Sequence, residues 1–443
     1  MGFFDKIFGS TEEKTVQPDI TFGRYTDAFK TKDQNTKWEE ALSKFNKGNY
    51  LESFEAYMIY LKDPKQDNIQ YKIERGTLTF TAFQGSKTIS GVADNKWFKV
   101  EAKMAKANDL HIGFLRSLME LNYDMTYARY CMDDDQNLTM VFDSSIIDAS
   151  PFKLYFAMKE LALHVDRQDD LLLAEFDVLE PISNHHVQSL PAAEQAIKLA
   201  YLRSEIQTVM GWIDSGKLNE ESYPGGLSYV LLNLVYKLDY FLQPQGPITE
   251  IFEKSHSIFF TKDEGLETIQ KNNLIRKEIK SILEFTDQHI LKQFQRTIYT
   301  FGLTTPINHV QLVQFIEAEI DNMNWYRDNE YEEVALAVPG YIVGYCLFNY
   351  AMPEPDRELL HLFYTILEPA FFKALGFDYN FVGPQGAVND KEIQKAITDI
   401  LQTYQSKYTS SKPNLDMLIF NNRVDFARSF LLMLKSFTLE PTY

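Results

Sequence analysis

Apolar positions along this chain change period several times, and each change marks an element type. From Lys37 to Pro64 (KWEEALSKFNKGNYLESFEAYMIYLKDP) they recur at helical spacing in two runs. Trp38, Ala41, Leu42 and Phe45 form the first, and Leu51, Phe54, Tyr57, Met58 and Leu61 the second. Gly48-Asn49 separates the runs and Pro64 stops the second, which predicts a helical hairpin over 37–69. The residues before it, 10 to 36, are polar with scattered aromatics and read as a linker or loosely docked arm, giving an N-terminal segment of 1–36.

From Tyr71 the period falls towards two. Thr77 to Phe83, Ser86 to Val92 and Trp97 to Met104 predict strands, punctuated by Gln84-Gly85 and Asp94-Asn95. A helix follows over Asp109 to Leu121, capped by Asp109, with Ile112, Leu115, Leu118 and Met119 at core spacing. Strands at Tyr127 to Met132 and Leu138 to Phe142 flank a polar turn, Asp133 to Asn137. A last helix starts at Ser150-Pro151 and runs to about Ala174. The expectation is a five-stranded α+β module over 70–180.

Two resemblances attach to these segments. Ala41, Gly48, Tyr50, Tyr57 and Pro64 fall where a tetratricopeptide repeat places small, turn, aromatic and helix-stop residues, with Ser53 and Tyr60 in place of the usual alanines. No second copy follows, so the hairpin must pack on its neighbour. The order strand, strand, strand, helix, strand, strand, helix, with LRSLMELNY (Leu115 to Tyr123), YCMDDDQNLTMVF (Tyr130 to Phe142) and ELALHVDRQDDLL (Glu160 to Leu172), resembles the bacterial type III secretion chaperone-like fold, which includes the YbjN-like proteins. Val165-Asp166 stands where those families carry Ala-Asp. The resemblance implies a fold that binds and holds other proteins, often as a homodimer, without catalytic chemistry.

Residues 181–191 (PISNHHVQSLP) predict a linker. Beyond them helical spacing dominates, broken at Tyr223 to Gly226, Gln243 to Pro247, Thr304 to Pro306, Met352 to Pro355, Gly376 to Gly386 and Ser410 to Pro413. That predicts an all-α domain of eight or nine helices over 192–443. The stretch Val334 to Met352 carries no charge, but Pro339-Gly340 interrupts it and Glu332, Glu333, Glu354 and Asp356 flank it, so it reads as a buried core helix with no integral membrane segment.

Charge narrows the partners. A formal net charge of -18 opposes phosphate backbones and anionic lipid surfaces, which excludes nucleic acid as a general ligand. The two cysteines, Cys131 and Cys346, sit in a strand pattern and an apolar helical run, as in a reducing compartment. Met1 to Gly9 (MGFFDKIFG) is shorter than a secretory signal, and the expected location is cytoplasmic.

Candidate chemistry is sparse. No phosphate-binding glycine loop, nucleophile elbow, His-Glu-x-x-His or Cys-x-x-Cys motif occurs. Asp133, Asp135 and Asn137 begin like a calcium loop, but Leu138 and Ser144 stand where glycine and glutamate belong. His185 and His186 are adjacent and point apart. Two Glu-x-x-His pairs, Glu253/His256 and Glu358/His361, match half of a di-metal carboxylate bundle, with Glu317, Glu319 or Asp321 as a further ligand. Glu220 and Glu221, beside the break at Tyr223, do not supply the fourth, and helical phase predicts both pairs on flanking or solvent faces. No residue is therefore assigned a catalytic, cofactor-binding or metal role. The expected function is a non-enzymatic intracellular adaptor or chaperone whose partner is another protein or a second copy of itself; the alternative is an enzyme or small-ligand site in the helical domain.

Overall fold

The computed structural model describes residues 17–107, 112–175, 178–182, 186–261, 265–383 and 388–442. The chain divides into two compact units. One comprises Tyr25–Ser189 with Gln295–Leu303, and the other comprises the chain up to Arg24 with Leu190–Phe294 and Thr304–Tyr443. The fold class is α+β.

The first unit opens with a helical hairpin, α1 (Lys32–Asn46) and α2 (Tyr50–Leu61). The first helix starts five residues before the apolar period reveals it, because Thr31 and Gln34 form a reciprocal capping box. Gly48, at φ +79°, supplies the left-handed turn between the helices. Strands β1 (Ile69–Glu74), β2 (Thr77–Gln84), β3 (Lys87–Ala93) and β4 (Trp97–Ala107) precede α3 (Ile112–Tyr123). Then come β5 (Arg129–Met132), β6 (Asn137–Ser145), α4 (Pro151–Glu175), β7 (Leu179–Pro181) and β8 (Gln188–Ser189). The sheet is antiparallel in the order β1-β2-β3-β4-β6-β5, with β7 pairing the end of β4. Among the described residues it therefore holds seven strands instead of the expected five, the additions being β1 and the three-residue β7.

One face of the sheet carries the core. Along β2, Leu78, Phe80, Ala82 and Gln84 are buried and alternate with half-buried Thr77, Thr79, Thr81 and Phe83. Phe54 of α2 packs edge-on against Phe98 of β4, and Trp38 of α1 meets Phe152 of α4, so the lone hairpin shares a single core with the sheet. The 181–191 segment is more than a linker. Gln188–Ser189 pairs with β9 (Gln295–Arg296), and from there the chain lays Phe301, 1 % exposed, into this same core. Gln84 fastens that insertion, accepting the N–H of Thr300 and Phe301 and donating to the Phe301 carbonyl. Asp27 accepts from Gly302 N–H and Tyr155 Oη and meets Lys159.

The second unit is mainly helical, with α5 (Ala192–Asp214), α6 (Pro224–Leu242), α7 (Pro247–Phe260), α8 (Thr268–Ser281), α9 (Asp287–Leu291), α10 (His309–Glu319), α11 (Asn322–Asp328), α12 (Glu332–Asn349), α13 (Glu354–Leu367), α14 (Pro369–Ala374), α15 (Asp390–Thr403) and α16 (Arg423–Leu434). Twelve α-helices thus lie among the described residues in place of eight or nine, the extra ones being turns of five to seven residues too short to show a period. Two short ladders also depart from an all-α domain: β10 (Thr305–Pro306) with β11 (Tyr350–Ala351), and β12 (Tyr408–Ser410) with β13 (Leu439–Pro441).

Pro339-Gly340 does not break its helix. α12 runs through both, and buried residues on every side surround it. The glycines serve close approach instead. A Cβ on Gly340 would lie against Asn233 Oδ1 and one on Gly344 2.6 Å from Tyr236 Cβ, so these positions let α12 pack close against side chains of α6. No helix among the described residues is long and apolar enough to cross a membrane.

Candidate functional site

Helix α3 presents apolar residues in two directions. Phe114 and Leu118 are buried in the sheet core, with Leu121 packed beside them. At 100° per residue, Ile112, Leu115, Met119 and Tyr123 fall in a separate arc of about 80°, well away from the buried one. They face outward, with Ile112 at 86 %, Met119 at 73 % and Tyr123 at 90 % exposure. The expected core set was Ile112, Leu115, Leu118 and Met119, and of these only Leu118 is buried. A helix rich in Leu and Met allows more than one apolar arc, and composition alone does not say which arc meets the sheet. The expected cap, Asp109, lies outside the described residues.

The end of α3 is held firmly. Asn122 donates to the Tyr130 carbonyl and accepts from the Tyr130 N–H, clamping the helix to β5. The Glu160 carboxylate of α4 accepts N–H bonds from Thr126, Tyr127 and Ala128 at 2.6 to 2.8 Å. More apolar surface lies on the same unit, where Ile147, Phe152 and Phe156 are each more than half exposed. Scattered exposed apolar residues are ordinary; a continuous stripe along one helix is the pattern of a docking face.

The acidic turn is a structural turn. Asp133 accepts from Asp135 N–H, Asn137 N–H and Asn137 Nδ2 and pairs with Lys103 at 2.9 Å. His185 lies outside the described residues. His186 contacts the Gly85 carbonyl and the Thr88 hydroxyl and packs on Phe83.

Of the two Glu-x-x-His pairs, Glu253/His256 is half-buried on a flank of its helix, as expected, and Glu358/His361 is not. Glu358 and His361 are 6 % and 4 % exposed, because α13 is buried on all sides instead of presenting one face to solvent. Both histidines are engaged by tyrosines one turn apart on α6. Tyr236 Oη lies 2.8 Å from His256 Nδ1 and Tyr240 Oη 2.8 Å from His361 Nδ1. Burial, then the charge of Arg24, pushes His256 down to about 4; burial, then Arg357, pushes His361 down to about 3. Both rings are neutral at pH 7. Glu253 accepts from Arg24; of the further candidate ligands, Glu317 pairs with Lys435, Asp321 pairs with Arg428, and Glu319 accepts from Tyr229 Oη. Among the described residues no three His, Cys, Asp or Glu side chains converge as a metal site.

A second buried histidine, missed from the sequence, is His309. Its Nδ1 lies 2.7 Å from Asp356 Oδ1 and its Nε2 3.0 Å from the Phe437 carbonyl. A carbonyl only accepts, so Nε2 donates to Phe437, and one proton is held between Nδ1 and the Asp356 carboxyl. Burial disfavours the charged ring, but the Asp356 bond and charge and nearby carbonyls outweigh it and raise the His309 pKa. The pair ties the chain after α16 to the start of α13.

A cleft of about 200 Å³ between α5, α6 and α12 is lined by Val209, Trp212, Val230, Leu234 and Lys237, among others. That is below the usual range for small-molecule sites. Its one cation is already neutralised, since Lys237 Nζ contacts Glu205 and Glu368 at 2.6 and 2.8 Å. Comparison with known proteins gives no match, either to a family model or to a curated protein.

Proposed function

We propose that this chain is a non-enzymatic protein-binding adaptor or chaperone of the cytoplasm, with the outward stripe of α3 as its docking face. The observation that carries this reading is the second apolar arc, Ile112, Leu115, Met119 and Tyr123, on a helix whose first arc is already buried. Removing apolar surface from water is favourable by about 25 cal/mol per Å², so such an arc gains by acquiring a cover. An aromatic and a methionine among its four residues are types suited to binding surfaces. The resemblance of the sheet unit to secretion chaperone-like modules supports the same direction, and the net charge of -18 speaks against nucleic acid as the ligand. Two free thiols, Cys131 and Cys346, fit a reducing compartment.

The test separates surface from core. The partner is isolated by co-purification from the native cell and its binding is then measured with purified components. Met119→Asp and Ile112→Asp are expected to keep the wild-type circular dichroism spectrum and to weaken binding at least tenfold, which is about 1.4 kcal/mol per decade. Unchanged affinity in both variants would remove α3 from the binding face. Sedimentation of the wild-type protein over a concentration range reads the homodimer version, in which the arc of one copy covers that of another.

A further inference from the structure

The C-terminal end of α6 holds an extended peptide, and that peptide is the chain's own residues 18–24. This segment has no regular secondary structure and belongs to the helical unit. Phe22 enters an aromatic pocket, with ring centroids 5.2 Å from His361, 5.3 Å from Phe372, 5.9 Å from Phe377 and 6.2 Å from Tyr240. Arg24 is read by three groups. Its Nε and Nη2 donate to both oxygens of Asp239 at 2.9 Å, Nη1 donates to Glu253 at 3.2 Å, and its guanidinium lies 3.6 Å over the Phe348 ring. Burial works against that charge, and the two carboxylates more than offset it, so the Arg24 pKa stands above its ordinary value.

The residue between them is specified as well. Gly23 adopts φ +75°, and a Cβ there would sit 2.5 Å from the Tyr240 ring. Its N–H donates to the Tyr240 carbonyl at 2.9 Å, and its own carbonyl accepts from Gln243 Nε2. The Tyr240 carbonyl is in the last turn of α6, where carbonyls lack an intrahelical donor and the helix end favours a cation. Side-chain pockets on either side of a main-chain clamp are the layout of a peptide-recognition groove.

We infer that this end of the helical unit is a receptor groove for an aromatic-glycine-arginine segment of a partner protein, closed in cis by residues 18–24. The partner's segment is extended and basic, matching the paired carboxylates of Asp239 and Glu253. The groove belongs to the helical unit and the α3 stripe to the other unit, so the groove is proposed independently of that face. Binding requires the arm to leave, which makes the arm an internal competitor. A partner peptide then binds more weakly than its contacts alone dictate, by the fraction of time the groove is open.

The probe is a fluorescent synthetic peptide with the sequence of residues 18–25, PDITFGRY, titrated by anisotropy into the full-length protein. Arg24→Ala and Phe22→Ala each loosen the arm, and both are expected to bind the peptide at least tenfold more tightly than wild type. Peptides with alanine at the glycine or at the arginine should lose that gain. A folded variant that binds PDITFGRY no better than the alanine peptides overturns the groove. Concentration-dependent dimerisation of the variants, with no peptide binding, assigns the groove to arm exchange between copies and also overturns the partner reading. Should both variants fail to fold, native-state hydrogen exchange on the wild-type protein decides. The Gly23 amide should exchange through local opening while the middle of α6 stays protected, and exchange of both only by global unfolding overturns the inference.

Discussion

The His309–Asp356 pair makes a claim about pH. His309 has a pKa above its unfolded value near 6.5, so the stability it contributes is fully present below about pH 6.5 and is lost as pH rises through the folded-state value. Asp356 is also raised, by burial against the pull of His309, which agrees in sign: the pair holds its proton more tightly folded than unfolded. Thermal melts from pH 6 to 9 should therefore fall more steeply for the wild-type protein than for Asp356→Asn, and parallel curves would exclude the pair as the cause. At pH 6, where the pair keeps its proton, the variant should be destabilised by about 3 to 5 kcal/mol, the usual consequence of leaving one member of a buried ion pair behind, and the difference should shrink as pH rises. None of this was legible in the sequence, where His309 stands 47 residues from its carboxylate. The Glu-x-x-His pairs were visible for the opposite reason, since local spacing is what a sequence displays, and their real partners, Tyr236, Tyr240 and Arg24, came from elsewhere in the chain.

Elements were readable wherever one face only was apolar. Strand alternation located β2, β3 and β4 to within a few residues, and Gly48-Asn49 marked the hairpin turn. α3 and α12 show where periodicity fails. α3 has two apolar arcs, and the expected core set takes Leu118 from the buried one and Ile112, Leu115 and Met119 from the outward one, so Leu118→Asp and Met119→Asp separate cleanly. The first buries an uncompensated charge and should unfold the sheet unit; the second should leave its circular dichroism spectrum intact. α12 is apolar all round, and Pro-Gly inside it looked like a break because the sequence does not show how near α6 comes. Gly344→Ala puts a Cβ 2.6 Å from Tyr236 Cβ and 2.9 Å from Tyr364 Oη, so a helix must shift. We expect a loss of about 1 to 3 kcal/mol, measured by urea denaturation, even after the gain in helix propensity. Gly340→Ala meets only the end of the Asn233 side chain, which can rotate, and should cost less.

At the scale of the whole molecule, the domain boundary at 192 read from the sequence is crossed by two segments. Residues up to Arg24 belong with the helices, and 295–303 belong with the sheet. Neither has a compositional signature, because a short inserted segment needs only one anchor, Phe22 in one case and Phe301 in the other. A fragment of residues 192–443, cut where composition suggests, therefore lacks Arg24 opposite Asp239 and carries Phe301 without its core. It should melt at a lower temperature than the corresponding transition of the full chain and bind a hydrophobic dye. A fragment with full-length stability would mean that the inserted segments contribute nothing.

The same interleaving sets an order on synthesis. The sheet unit has all of its strands from β1 to β8 once residue 189 has emerged, yet Gln84 and Asp27 still await the backbone of residues 300–302. At about 5 to 20 residues per second that delay is roughly ten seconds. During it the slot for Phe301 stands open on a nascent chain, and a ribosome-associated factor that shields apolar surface has its longest opportunity there. Slowing translation of codons 190 to 300 should lengthen that exposure and lower the yield of folded protein, with no change in the amino-acid sequence at all.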